Sequence, residues 1–422
     1  MKTWLRAFFV IVSAGLVWVV GAQAASVTIT YASWWFLEVG RADVLRGIIE
    51  AFEAENPDIE VKMVEIPYAQ FNTKLVTEFE AGAGPDIFSI QHEALIPWIQ
   101  KGYLEPLNGY LTQEEMLSWD KIFIHFYEEA KSGGIVYALP FEFVNYAGLI
   151  YNRRILEAAG LNYPPRTPQE LIQFSERIVA SGAAPIGLIY FIDPANPYYL
   201  VGGGLMRAMF GFNARFTDEN GNFTVNTPEF LAAVKFMKQI YDSPATPVIP
   251  MGVQREAFNK GQAAMTIDGS YYMSIVKAAN PEHFEDYAVA PLPFAHRYHK
   301  AECNMHGINK NSSPEKKLAA ARLLKFLVSR NVQLKWAREC FVGPARTDVG
   351  IELVDVYPWY RVYFEAAPYA VSPYVTGHEA ETLEIRAFVA DYITRILLGL
   401  VSPEQGLEEL QRDLATTFGR KE

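Results

Sequence analysis

The chain is poor in cysteine, in long apolar runs and in positive charge. It has only two cysteines, Cys303 and Cys340, in 422 residues, so at most one internal disulfide is available. Beyond the first twenty-odd residues no apolar run is long enough to span a bilayer. Acidic residues outnumber basic ones, 48 to 37, for a formal net charge of −11. Such a surface is a poor match for nucleic acid. There is no internal repeat and no low-complexity linker. With 50% hydrophobic and 20% charged residues, the composition is that of a globular protein. The length exceeds what one simple core needs, so two domains are expected.

What is present begins with a leader. Lys2 and Arg6 precede an apolar stretch from Ala7 to Val20, and Ala22-Gln23-Ala24 supplies the small-residue cleavage pattern. This reads as a signal peptide over 1–24, with the mature chain exported and still more acidic once Lys2 and Arg6 are gone. Lipid attachment is not expected at the cleavage site, because the residue directly after it is Ala25 and not a cysteine. Export to an oxidising compartment favours a disulfide between Cys303 and Cys340, if their geometry allows it.

The hydrophobic period then alternates. "VTITYA" at 27–32 reads as a strand. Residues 41–55 place Val44, Leu45, Ile48, Ile49 and Phe52 at helical spacing. "DIEVKM" returns to period two, with Ile59, Val61 and Met63 on one face. A second helical stretch runs through Phe71, Leu75, Val76 and Phe79, and "DIFSI" closes a β-α-β-α-β series. That order implies a parallel sheet with helices on its faces. Further on, Thr167-Pro168, Thr227-Pro228, Ser313-Pro314 and Ser402 mark helix starts. "AAMTID" at 263–268 reads as a strand, so a second α/β lobe is expected. "GGG" at 202–204 lacks the Lys-Ser/Thr of a phosphate loop.

Two adjacent tryptophans, Trp34 and Trp35, end the first strand. Neighbours on a strand face opposite ways, so one is expected in the core and the other in a cleft. Ligands in such sheets bind beyond the carboxyl ends of the strands.

Several segments carry a family resemblance. "GAGPDIFSIQHEALIPWIQKGYLEPL", "YALPFEFVNYAGLIYNRRILEAAGLNYPPRTPQEL" and "FNKGQAAMTIDGSYY" resemble, in order, markers of the extracellular solute-binding proteins of ATP-binding-cassette importers. The likeness is to the carbohydrate-binding group that includes maltose-binding proteins. "GINKNSSPEKKLAAARLLKFLVS", "FVGPAR" and "LLGLVSPEQGLEEL" continue the pattern, which covers nearly the whole mature chain. The resemblance implies an α/β, two-lobe periplasmic-binding-protein-like fold, each lobe a mainly parallel sheet flanked by helices. Lobe one would hold 25–138 and 292–340, and lobe two 139–291 and 341–422. "ALPFE" and "VAPLP" would be hinge crossings, stiffened by proline. It further implies a binding protein, not an enzyme, with no cofactor, acting as a monomer. Its partners would be a carbohydrate and membrane permease subunits.

A sugar needs aromatic faces for its C–H groups and fixed donors and acceptors for its hydroxyls. Position on this frame nominates Trp34, Trp35 and Glu38 after the first strand, and Gln91 and His92 after the third. Glu142 and Asn145 follow the first crossing. Asp268, Gly269, Tyr271 and Tyr272 follow "AAMTI", Asn304 lies at the return to lobe one, and Arg346 lies in "GPAR". The ring-dense stretch 357–374 is expected to be mostly packing, with a minority of rings on ligand. Two rival readings use the same residues. A ferric-ion protein would take the Tyr198-Tyr199 and Tyr271-Tyr272 pairs with His92, and a secreted glycosidase would pair Glu142 with Asp268. A relative binding glycerol phosphodiesters is a further alternative on the same scaffold.

Overall fold

The computed structural model describes residues 26–419. The proposed leader and its cleavage site lie outside that range. Thirteen strands occur among the described residues, at Val27–Ser33 (β1), Ile59–Glu65 (β2), Ile87–Ile90 (β3), Lys131–Ser132 (β4), Ile135–Val136 (β5), Leu139–Asn145 (β6), Gly148–Asn152 (β7), Ile186–Ile189 (β8), Ala263–Asp268 (β9), Tyr287–Pro291 (β10), His299–Ile308 (β11), Gly343–Pro344 (β12) and Ala370–Val371 (β13). They form two main sheets, one in the order β12-β6-β11-β3-β1-β2 with β13 on β11, the other β10-β7-β9-β8.

The first three strands and the helices Ala42–Glu55 and Tyr68–Glu80 are the β-α-β-α-β series read from the sequence. Leu45, Ile48, Ile49 and Phe52 are buried as the helical period requires. Met63 is 36% exposed, because β2 is an edge strand with less cover at its far end. Helix starts follow the side-chain logic. The hydroxyls of Thr167, Thr227, Ser313 and Ser402 each accept a backbone N–H three residues on, and each is followed by Pro at the first helical position.

Both sheets are mixed rather than mainly parallel. β1 runs parallel to β2 and β3, and β8 to β9. β11 is antiparallel to β3 and β6, and β7 is antiparallel to β9 and β10. Helical crossovers produce the parallel pairs. Where the chain re-enters a lobe from its neighbour no such crossover precedes the strand, and it pairs antiparallel.

Sheet membership also moves the crossings. β6 belongs to the first sheet, so the chain leaves that sheet after Asn145, not at 139. Pro140 sits inside β6 opposite Met305. The return falls between Pro291 of β10 and His299 of β11. β12 pairs with β6, so residues 343–344 also belong to the first sheet. One core packs the first sheet around Tyr31, Trp35, Phe88, Phe141 and Trp336. Another packs the second lobe around Leu188, Met206, Phe230, Ile385 and Leu407.

The expected disulfide is absent. Cys303 and Cys340 are both buried free thiols. Cys303 lies on β11, while Cys340 ends a helix that leads into β12, and β6 separates those two strands.

Among the described residues no helix is long and apolar enough to cross a membrane.

Candidate functional site

A cavity of about 300 Å³ lies between the lobes. Its first wall starts where β1 ends. The Ser33 hydroxyl accepts the Trp35 N–H at 3.2 Å, and Trp34–Leu37 wind into a 3₁₀ turn. The two tryptophans therefore part by a tight turn, not by strand alternation. Trp34 lines the cavity, edge-on to Tyr68 and Phe71 with centroids 5.5 and 4.9 Å away. Trp35 points into lobe one, among Phe141, Trp336 and His306.

The same turn sets Glu38 beside Arg41. The Arg41 guanidinium donates to Glu38 at 2.7 Å and to Glu142 of β6 at 3.1 Å, and lies 4.9 Å over the Tyr271 ring of lobe two. Glu142 also accepts the Trp336 indole N–H at 3.2 Å. Burial pushes its carboxyl up to about 7, although Arg41 pulls the other way. On β11, Lys300, Glu302 and Asn304 face the cavity at period two. Lys300 pairs with Glu302, which also accepts the Tyr146 hydroxyl at 3.1 Å.

The opposite wall belongs to lobe two. Arg207 is held between the rings of Tyr146 and Phe191, at 4.8 and 4.6 Å. Arg255 donates to the Tyr271 hydroxyl at 2.9 Å, and that hydroxyl donates to Asp268 at 3.0 Å. Tyr198 and Tyr199 complete the wall. The lobes touch across the cleft, with the Tyr68 and Tyr198 hydroxyls 3.5 Å apart and Tyr198 donating to Glu93 at 3.1 Å.

Of the residues nominated from sequence, Trp34, Glu38, Glu142, Tyr271 and Asn304 line this cavity. The others stand behind it or away from it. Trp35 is core. Gln91 donates to the Tyr68 carbonyl at 3.2 Å and accepts from Asn72 at 2.9 Å, which fixes the first turn of the helix that starts at Tyr68. His92 is tied to Glu129 and accepts the Cys303 N–H at 2.8 Å. Asn145 donates to the Tyr363 carbonyl at 2.9 Å. Asp268 lies beneath the wall, 3.6 Å from Arg207 and 3.5 Å from Arg255. Gly269 packs its backbone under Tyr271 and Val144, where a Cβ would be crowded. The Tyr272 hydroxyl donates to the Arg255 carbonyl at 3.3 Å. Arg346 is bound to Asp348 at 2.8 Å, outside the cleft. None of the rings in 357–374 lines the cavity.

Sequence reasoning did not nominate Arg41, Tyr68, Tyr146, Phe191, Arg207, Arg255, Lys300 or Glu302. Two signals were available. Lys300 and Glu302 share the strand face of Asn304, and Arg207 is a lone charge inside the apolar run "LMRAMF". The "GGG" run is explained by packing. A Cβ on Gly202 would strike the Arg386 guanidinium, and one on Gly204 the Phe191 carbonyl.

Glu142 gives the protein a pH signature. Between about pH 4.5 and 7 the unfolded chain has released this proton while the folded chain keeps it, so stability falls as pH rises through that window. Buried His306, lowered to about 3, acts in the opposite sense below about pH 6.5. The Glu142→Gln variant is therefore expected to lose less thermal stability than the parent between about pH 5 and 7. Parallel melting curves across that range would contradict the assignment.

Two α/β lobes enclosing a cleft of rings and charged side chains define a solute-binding architecture. The sequence match agrees. Residues 40–334 match the family of bacterial extracellular solute-binding proteins, and the chain belongs to that family. The family is one of binding proteins, not enzymes. Among relatives, a maltotriose-binding protein of Pyrococcus abyssi is 26% identical over 62% of this chain and 52% of its own length. A multiple sugar-binding protein of Streptococcus mutans is 32% identical over 34% of this chain and 32% of its own. The chain thus spans 58% or less of the length of these curated relatives. Two solved structures share the fold. The maltose-bound MalE3 of T. maritima has a TM-score of 0.80 at 25% identity, over 92% of this chain and 99% of that one. The GacH receptor of Streptomyces glaucescens, studied unliganded and with acarbose, has a TM-score of 0.80 at 22% identity, over 93% and 98%.

Proposed function

We propose that this chain is the substrate-binding component of an ATP-binding-cassette sugar importer. It captures a mono- or oligosaccharide between its lobes and delivers it to membrane permease subunits. One observation carries the reading: the rings of Trp34 and several tyrosines line the cavity together with acidic side chains, guanidiniums and the Asn304 amide. Rings suit the C–H faces of a sugar, and the polar groups suit its hydroxyls. The names of the relatives support the same class. Permease coupling and export follow from the family reading.

The rival readings lose their residues. His92 is committed to Glu129 and the Cys303 backbone, and burial raises the Tyr198 hydroxyl well above its ordinary range, which opposes a phenolate ligand for iron. Asp268 lies under the wall instead of facing Glu142 across it.

Capture works by closure of the lobes about the crossings after Asn145 and Pro291. A thermal-shift screen of the mature protein against a sugar panel tests the binding reading, since a ligand of the folded state raises apparent stability. No shift with any sugar would sink it. Trp34→Ala is expected to weaken the best ligand by about 1–3 kcal/mol, roughly ten- to a hundredfold in Kd. Unchanged affinity by calorimetric titration would remove Trp34 from the site.

A further inference from the structure

The charges lining the cavity are unevenly matched. On the side of lobe one, Arg41 has the Glu38 carboxylate and the Glu142 carboxyl, which keeps its proton up to about pH 7. Lys300 has Glu302, with Glu93 3.8 Å away, and Glu93 is itself paired to Arg386. On lobe two, Arg207 and Arg255 share a single carboxylate, Asp268. Neither makes a hydrogen bond to it: the oxygen 3.6 Å from Arg207 already accepts the Gly269 N–H at 2.8 Å and the Tyr271 hydroxyl, and the other oxygen, 3.5 Å from Arg255, has no hydrogen-bond partner. The Nε of both arginines is buried without a partner. Arg207 is only 5% exposed and is wedged between two rings. This wall therefore holds one positive charge more than it neutralises, in a place where unmatched charge is costly.

We propose that the sugar bound here carries a single negative charge, and that Arg207 and Arg255 hold its anionic group. The proposal rests on the carbohydrate reading above. One surplus positive charge fits a monoanion, such as the carboxylate of a uronic acid or a phosphodiester. The guanidinium fork matches either group with paired donors. Tyr146 and Phe191 hold Arg207 in place, and Asp268 with Tyr271 holds Arg255, so little order has to be created on binding.

The test is calorimetric titration of the whole mature protein with matched pairs: D-glucuronate and D-glucose, D-galacturonate and D-galactose, and digalacturonate with its neutral galactose disaccharide. Glycerophosphoglycerol serves as the phosphodiester arm. In at least one pair the anionic member is expected to bind about ten- to a hundredfold more tightly, the scale of a hydrogen-bonded charge. That preference should shrink at raised ionic strength. Arg255→Gln should bring the ratio close to one, and Arg255→Lys, which keeps charge but not the fork, should leave it intermediate. Equal or tighter binding of the neutral member in every pair overturns the anionic ligand and leaves the carbohydrate reading standing. A ratio that neither Arg255 variant changes overturns the assignment of the anionic group to Arg255. Binding of the phosphodiester alone keeps the anion site and overturns the sugar. Binding of none of the probes overturns the anionic sugar, and the wider sugar-panel screen decides the carbohydrate reading.

Discussion

Replacing Trp35 with alanine is expected to lower folding stability by about 3–5 kcal/mol, the usual cost of emptying a large aromatic site in a core. Trp35 is fully buried, and its ring meets Phe141 at 5.3 Å, Trp336 at 5.4 Å and His306 at 5.6 Å. These partners come from three segments distant in sequence. The cavity left behind would sit where β1, β6 and β11 meet the helix Arg330–Cys340, a place with little freedom to collapse. Trp35→Phe should recover part of the loss, because its smaller ring refills some of the space and the Trp35 indole N–H has no partner to lose. Denaturant titration of both variants measures this. A Trp35→Ala midpoint close to the parent's would show that the site repacks. Trp34→Ala provides the contrast, since its ring borders the cleft and its loss should be felt in affinity.

A comparable loss is expected at Glu93. Its carboxylate and the Arg386 guanidinium are both almost fully buried and paired with each other, and Tyr198 donates to the same carboxylate. Burial alone would raise this carboxyl, but Arg386 and Lys300 outweigh it and hold it down at about 2. The pair's contribution is therefore present above about pH 4.5 and fades as pH falls toward about 2. Glu93→Ala would leave Arg386 buried and uncompensated, at a cost of about 3–5 kcal/mol near neutral pH. Replacing both partners with apolar residues should recover much of that, because no charge is then stranded. Chemical denaturation of the single and double variants decides the matter. A single variant as stable as the parent would mean that solvent reaches Arg386 freely. The contact joins the loop after β3 in lobe one to the helix Thr382–Leu397 of lobe two, so its loss should also loosen the lobes relative to each other.

The site was partly legible before any coordinates. Trp34 and Glu38 could be placed because residues after the first strand of a β-α-β unit stand at the ligand end of the sheet. Tyr271 followed from the same reasoning applied to β9, and Asn304 from its place at the return to lobe one. That reasoning overreached at Gln91, His92, Asn145 and Asp268. Gln91 and His92 follow a strand and Asn145 and Asp268 end one, but each is spent on a neighbour: Gln91 on the start of the Tyr68 helix, His92 on Glu129 and Cys303, Asn145 on Tyr363 and Asp268 on two arginines. Position along a strand says which end of the sheet a residue occupies. It does not say whether another side chain has already claimed it.

By itself, the sequence determined the β-α alternation, the capped helix starts, the two-lobe family and the strand ends at which a cleft forms. Those depend on periodicity and on contacts within a few residues, which short stretches specify. Only the tertiary structure decided which tryptophan turns to the cleft, that the cysteines stay apart, and that the sheets are mixed. It also assembled the charged walls, where Arg41 meets Glu142 across 101 residues and Arg207 and Arg255 converge on Asp268. Period and spacing identify a polar or apolar face. Which faces meet is settled only when distant segments pack together, and there the cost of a buried unpaired charge selects the partners.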